Sequence, residues 1–330
     1  MNTTRLPLPR RVAPRAQLTL ALSVVALACA AVSATAATAA TAATAPSATT
    51  GRSTSVTYSS AIVFATINPH GQDTNYVFQY GTTRKYGAQT PLAPAGAGAS
   101  SLQVSQTITG LAPLTTYHYR ILATNPTGAA TGGDRTFATG PVPLSLAIAG
   151  APNPVVFGNS FLVEGTLSGT GAANHPVALQ ANPFPYLGGF QTVGNPELTN
   201  ASGGFSFPFL GLLENAQLRV VTVGKPEVSS PVLVENVAVR VTFHVRATRR
   251  RGYARLYGTV APAEVGALVG FQLLRPGRSL NKGGTVVSAS TATVSKFSRV
   301  VRVQRGLYRA LVKVSDGAHV SAYSPPVLIR

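Results

Sequence analysis

The sequence predicts an all-β chain of three tandem β-sandwich modules behind an N-terminal leader and a flexible linker. Three observations carry that prediction. The composition, with 32 Gly, 24 Pro and no Trp in a chain rich in Val, Thr, Ala and Ser, favours strands and turns over helices. The stretch from Leu111 to Asn125 reads with a period of two, which puts Tyr117, Tyr119, Ile121 and Ala123 on one face and His118, Arg120, Leu122 and Thr124 on the other. The C-terminal part also repeats itself. Gly165-Thr166 returns as Gly258-Thr259, Val177 and Gln180 as Val269 and Gln272, and Phe205-Ser206 as Phe297-Ser298. A near-constant offset of 92 or 93 residues marks duplicated domains with small loop insertions.

The chain opens on an address. Arg5, Arg10, Arg11 and Arg15 precede an apolar run from Leu18 to Val32, and small residues such as Ala34-Thr35-Ala36 follow. This is the layout of a secretory signal peptide, expected to span residues 1–34 and to leave the chain on export. The run is shorter than the ~20 residues a spanning helix needs. Cys29, after Ala26-Leu27-Ala28, is similar to the cysteine of a bacterial lipobox, with Ala where a large aliphatic residue is usual. Membrane attachment is therefore expected only if Cys29 is lipidated or the leader is retained. Residues 35–52, nearly all Ala and Thr, show no apolar face and read as a flexible linker.

The first module, residues 53–140, has strands expected at Ala61–Asn68, Asn75–Tyr80, Leu102–Thr109, Tyr117–Asn125 and Thr136–Thr139, with turns at Asn68-Pro69-His70-Gly71 and Pro126-Thr127-Gly128. Pro113 cannot donate to a ladder and so precedes its strand. Leu111, Pro113, Thr115 and Tyr117 resemble the corner motif of fibronectin type III modules. The run from Asn68-Pro69-His70-Gly71 through Tyr76-Val77-Phe78-Gln79-Tyr80-Gly81 is similar to a segment of secreted bacterial members of that group. The resemblance implies that the Tyr117 hydroxyl bonds back to upstream backbone. Many such modules carry a core tryptophan where this chain has Ile62-Val63-Phe64, so Ile62 and Phe64 are left either exposed or meeting the next domain.

The copies at 141–236 and 237–330 each have the length of a seven-stranded sandwich. Ser230-Pro231-Val232-Leu233-Val234, near the end of one, aligns with Pro325-Pro326-Val327-Leu328-Ile329 in the other. Thr199-Asn200-Ala201-Ser202-Gly203-Gly204-Phe205 resembles the turn before a core strand of bacterial immunoglobulin-like and transthyretin-like modules. The resemblance makes both copies immunoglobulin-like.

Chemistry is sparse. Nine Asp plus Glu against 27 Lys plus Arg leave few carboxylates for paired acids or metal cages. The five histidines, at 70, 118, 175, 244 and 319, show no metal-ligand spacing. No Gly-x-Ser-x-Gly elbow with partners occurs, and Pro94 to Ala99 lacks the Lys-Ser/Thr of a phosphate loop. No catalytic residue, cofactor or metal is expected, and the chain reads as a non-enzyme.

Charge is the one strong asymmetry. From Val237 onward there are 16 Lys plus Arg against only Glu264 and Asp316, a balance of +14, whereas residues 141–236 carry Arg219 and Lys225 against five Glu, or −3. Alternation turns Arg240, Arg246, Tyr253, Arg255 and Tyr257 outward, puts Arg249, Arg250 and Arg251 in a connecting turn, and places Arg302, Arg309 and Lys313 outward on later strands. Arginines beside exposed tyrosines suit anionic groups and stacked rings. The expected protein is an exported binding and spacer chain of the cell surface or extracellular space, its basic third module taking an anionic cell-envelope polymer or glycan, with no specific nucleic-acid partner. An accessory module of an extracellular polysaccharide-degrading system, or a purely structural stalk, is the alternative.

Overall fold

A computed structural model describes residues 43–330; the signal peptide, Cys29 and residues 35–42 of the linker lie outside the described residues. Every regular element among the described residues is a strand. The first module comprises β1 (Ser47–Thr54), β2 (Ser60–Asn68), β3 (Thr74–Gly81), β4 (Ala88–Gln89), β5 (Ala93–Gly96), β6 (Leu102–Thr109), β7 (Thr116–Asn125), β8 (Gly128–Thr131) and β9 (Arg135–Ala138). One sheet has the order β1-β2-β6 and the other β4-β3-β7-β8, with β5 on β3 and β9 on β7. The linker expectation is corrected here. Ser47–Thr54 is an antiparallel edge strand on β2, because its Thr and Ser suit a half-exposed pleat. Pro94 to Ala99, whose glycines and alanines suggest a loop between strands, is corrected as well, since Ala93–Gly96 adds an edge strand to β3.

Alternation holds along β2, where Ala61, Val63, Ala65 and Ile67 are buried while Ile62 and Phe64 are half-buried. Tyr117, Tyr119, Ile121 and Ala123 meet them from β7, and the Tyr117 hydroxyl accepts the Ala112 N–H at 3.0 Å. That bond is the corner the resemblance implied.

The second module runs through β10 (Ser145–Ala151), β11 (Val155–Val156), β12 (Ser160–Ser168), β13 (Pro176–Pro183), β14 (Gln191–Thr192), β15 (Glu197–Leu198), β16 (Gly204–Leu210), β17 (Ala216–Thr222) and β18 (Leu233–Glu235). Sheet β10-β12-β16 packs against β14-β13-β17-β18, with β15 on β13. The third contains β19 (Val237–Ala238), β20 (Arg240–Val241), β21 (His244–Ala247), β22 (Tyr253–Ala261), β23 (Leu268–Arg275), β24 (Arg278–Val286), β25 (Ser288–Ala289), β26 (Ser295–Arg302), β27 (Gly306–Lys313), β28 (Ala322–Tyr323) and β29 (Val327–Ile329). Its sheets are β20-β22-β26-β25, with β21 on β22, and β24-β23-β27-β28, with β29 on β27.

The duplication has a physical signature in its glycines. Gly165 pairs with Phe205 and Gly258 with Phe297, and each ring lies across its glycine. A Cβ on Gly165 would overlap the Ala147 carbonyl and stand 2.5 Å from Phe205 Cζ; one on Gly258 would overlap the Thr242 carbonyl and stand 2.7 Å from Phe297 Cζ. The C-terminal anchor slips by one residue relative to the sequence alignment. Ser230 and Ser324 are the equivalent positions, each hydroxyl accepting a core-strand N–H, from Val220 and Ala310, and donating to the next proline carbonyl. Three separate cores result, and cross-linking by disulfide is impossible among the described residues because Cys29 is the only cysteine.

The second and third modules are joined by hydrogen bonds rather than by a bare linker. β11 runs parallel to β19, Asn215 Oδ1 accepts the Val237 N–H at 2.7 Å, and Asn215 Nδ2 donates to the Gly317 carbonyl at 2.9 Å.

Candidate anion-binding face

Strand register decides which basic side chains share a face. Across β21, β22 and β26, His244 stands opposite Tyr257 and Tyr257 opposite Ser298; Arg246 stands opposite Arg255; Tyr253 stands opposite Arg302, and Thr259 opposite Lys296. Odd-numbered positions of β22 from Tyr253 to Thr259 point outward because Ala254, Leu256 and Val260 fill the core. The face borders a groove of about 750 Å³ whose lining includes His244, Arg246, Arg255, Tyr257, Lys296 and Ser298.

Its electrostatics are one-sided. Like charges directly opposite on neighbouring strands have Cβ atoms only about 5 Å apart and repel. Arg246 and Arg255 are such a pair, both exposed. Glu264 and Asp316, the module's only acids, gather around His319 at the junction with the second module. Among the described residues no Arg or Lys of the third module is paired with a carboxylate.

The eleven residues expected from sequence do not form one surface. Arg246, Arg255, Tyr257, Tyr253 and Arg302 share the outer face of β21-β22-β26, and the exposed Arg249, Arg250 and Arg251 flank it in the β21–β22 turn. Arg250 lies over the Tyr253 ring, its Cζ 4.1 Å from the centroid, so that ring is already covered. Arg240 is corrected out of the group. Its Nη2 donates to Asn159 Oδ1 of the second module at 2.9 Å. Arg309 and Lys313 sit on β27, in the opposite sheet, because the third module is a two-layer sandwich and outward on one layer is opposite to outward on the other.

Arg309 is moreover committed to a device that all three modules share. Gln79 stands opposite Arg120, Gln180 opposite Arg219 and Gln272 opposite Arg309, and each Arg Nε donates to its Gln Oε1, at 2.8, 2.7 and 2.9 Å. Each guanidinium then covers an aromatic ring, that of Tyr86, Phe190 or Tyr323, at 4.5, 4.2 and 3.6 Å from the centroid. Only the Gln180-to-Gln272 correspondence was visible in the sequence.

Two acidic features escaped the sequence reading. Glu235 is fully buried with no hydrogen-bond partner at either carboxylate oxygen among the described residues, and burial pushes its pKa up to about 7. Histidines do meet acids: His118 Nδ1 lies 2.8 Å from Asp134, and His319 Nδ1 lies 2.6 Å from Asp316 and 3.0 Å from Glu264. The signal available for the second pairing was Asp316-Gly317-Ala318-His319, but Glu264 is far away in sequence and only the fold delivers it.

No protein-family model matches the sequence, and no curated protein matches it. Solved structures do. The FN1–FN3 domains of chicken CNTN1 match at 14% identity over 87% of this chain and 100% of that one, with a TM-score of 0.31. Domains A168–A170 of titin match at 12% identity over 86% and 98%, with a TM-score of 0.37. A marsupial T cell receptor matches at 11% over 85% and 98%, with a TM-score of 0.29. The fold is read from the strand pairings above: two-layer β-sandwiches of the fibronectin type III and immunoglobulin-like kind.

Proposed function

We propose that the chain is an exported, non-enzymatic binding and spacer protein whose third module holds an anionic cell-envelope polymer against the outer face of β21-β22-β26. The observation that carries this reading is Arg246 facing Arg255 across a strand pair, neither of them paired with a carboxylate among the described residues. Stability alone disfavours that arrangement, and a bound polyanion turns the repulsion into joint attraction. Tyr257, 38% exposed and beside His244, adds a flat surface for a ring. The basic leader and its apolar core support export.

The test is binding of the full chain to an immobilised phosphate-bearing polymer and a carboxylated glycan across a salt series. Affinity is expected to fall linearly on logarithmic axes as counterions are released. Changing Arg246→Gln and Arg255→Gln together is expected to reduce that slope by about two, since each phosphate-contacting cation contributes roughly one. Absence of binding at low salt, or an unchanged slope in the double variant, would replace this reading with that of a structural stalk.

A further inference from the structure

We propose that Glu264, Asp316 and His319 form a binding site for a divalent transition-metal cation of the zinc class, fastening the loops of the third module that meet the second. The three side chains come from two loops, one following β22 and one following β27, and one ligand atom from each lies within 4.8 Å of the others. His319 is 10% exposed and Glu264 11%, while Asp316 at 35% leaves a path from solvent.

The decisive observation lies outside the cluster. His319 Nε2 is 2.9 Å from the carbonyl oxygen of Leu213, in the second module, and a carbonyl can only accept. Nε2 therefore carries the ring's proton, and in a neutral ring Nδ1 presents a lone pair. Nδ1 faces Asp316 Oδ2 at 2.6 Å and Glu264 Oε1 at 3.0 Å. Three electron-pair donors then converge on a place for one cation, either a proton held on Nδ1 or a metal ion standing in for it. No backbone N–H or hydroxyl among the described residues donates to the Glu264 carboxylate, whose Oε1 meets His319 Nδ1 at 3.0 Å. Two carboxylates and a neutral imidazole supply a charge that balances a divalent ion, and imidazole with carboxylate is a donor set that suits zinc. An imidazole whose second nitrogen is fixed by a backbone carbonyl is the usual outer-shell arrangement of a metal-binding histidine. Tetrahedral zinc places ligand atoms about 3.3 Å apart, so Nδ1 would draw back by about 0.7 Å from Asp316 Oδ2 and about 0.3 Å from Glu264 Oε1, leaving a fourth position for water.

The consequence is mechanical. The Asp316–His319 loop already docks on the second module through Asn215, which donates its backbone N–H to the Ala318 carbonyl and its side-chain amide to Gly317. Metal at Glu264 locks that loop to the other side of the third module and stiffens the junction.

The experiment titrates Zn²⁺ alone into the chelator-treated full chain by calorimetry, with Co²⁺ absorption as a second readout and Ca²⁺ as a comparison. One Zn²⁺ per chain, a Co²⁺ spectrum of low coordination number, weak Ca²⁺ binding and a raised melting temperature are expected. Glu264→Gln and Asp316→Asn, which keep shape and alter only the donors, should each weaken Zn²⁺ about tenfold or more, whereas His118→Gln should not. If His319→Gln fails to fold, the two carboxylate variants still decide. Zinc binding unchanged by either of them, no zinc binding at all, or equal preference for Ca²⁺ overturns the site and leaves a proton on Nδ1 as the cation.

Discussion

Glu235 is a residue whose chemistry opposes its position. Both its oxygens are buried without partners, Oε2 lying where a Cβ on Gly150 would stand 3.1 Å away. Its folded pKa is about 7 against 4.5 for the free side chain. Below 4.5 both states are protonated and ionisation adds no cost. Between 4.5 and about 7 the unfolded chain has lost the proton and the folded chain keeps it, so stability falls as pH rises through that window. The full effect is on the order of 3 kcal/mol. Glu235→Gln is expected to flatten the decline between mildly acidic and neutral pH, leaving a smaller slope from Glu264, whose pKa burial also raises. Denaturant midpoints across pH check this, and a Glu235→Gln slope equal to wild type would contradict it.

Among elements, the pairing of β22 with β26 shows how a repeat is held by what a strand omits. Gly258 lets Phe297 lie across the pleat and lets the Thr242 backbone come close, and Gly165 does the same for Phe205 and Ala147. An added methyl has nowhere to go. Gly258→Ala should destabilise the third module by about 1–3 kcal/mol, the usual cost of overpacking a tight core. Gly270→Ala, on β23 where a Cβ meets nothing within 4 Å, should stay within about 0.5 kcal/mol of wild type. Equal effects of the two, read as denaturation midpoints, would show that close approach is not the reason for the glycine. The shared Gln–Arg–aromatic stack belongs to this scale too. It appears in all three modules on the strand pairs β3–β7, β13–β17 and β23–β27, where a planar guanidinium can bond sideways and stack at once.

For the molecule as a whole, the junction of the second and third modules turns on Asn215. It is 6% exposed, and it satisfies the Val237 N–H and the Gly317 carbonyl with one side chain. Asn215→Ala leaves a buried N–H unpaired, a loss of about 1–3 kcal/mol. Faster amide exchange is expected at Val237, whose N–H donates to Asn215, and at Val320, whose N–H donates to the Val237 carbonyl and ties the loop after β27 to β19, with exchange in the core of the first module unchanged. Uniform exchange across the chain, or none at the junction, would show that Asn215 does not hold it.

Period-two alternation and the turn residues determined by themselves the strand content and the principal core strands of the first module, because inward and outward positions on a strand are set by local geometry, and the Tyr117 corner followed from the resemblance of Leu111 to Tyr117 to a known motif. Internal similarity likewise exposed the duplicated pair, since equivalent packing demands equivalent residues such as Gly165 and Gly258. The edge strand Ser47–Thr54 was not legible, because its Thr and Ser carry no apolar stripe and become a strand only by pairing with β2. A second tyrosine corner, Tyr308 accepting the Gln304 N–H at 2.9 Å, lacks the Leu-x-Pro lead-in that announces the first. The basic residues were visible one by one, but whether two of them share a face depends on which sheet each strand joins. Tertiary structure therefore separated Arg309 and Lys313 from Arg246 and Arg255, tied Arg240 to Asn159, and brought Glu264 to Asp316 and His319. Those decisions rest on contacts between residues distant in the chain, and the physical reason is that side-chain alternation is local whereas strand partnership is not.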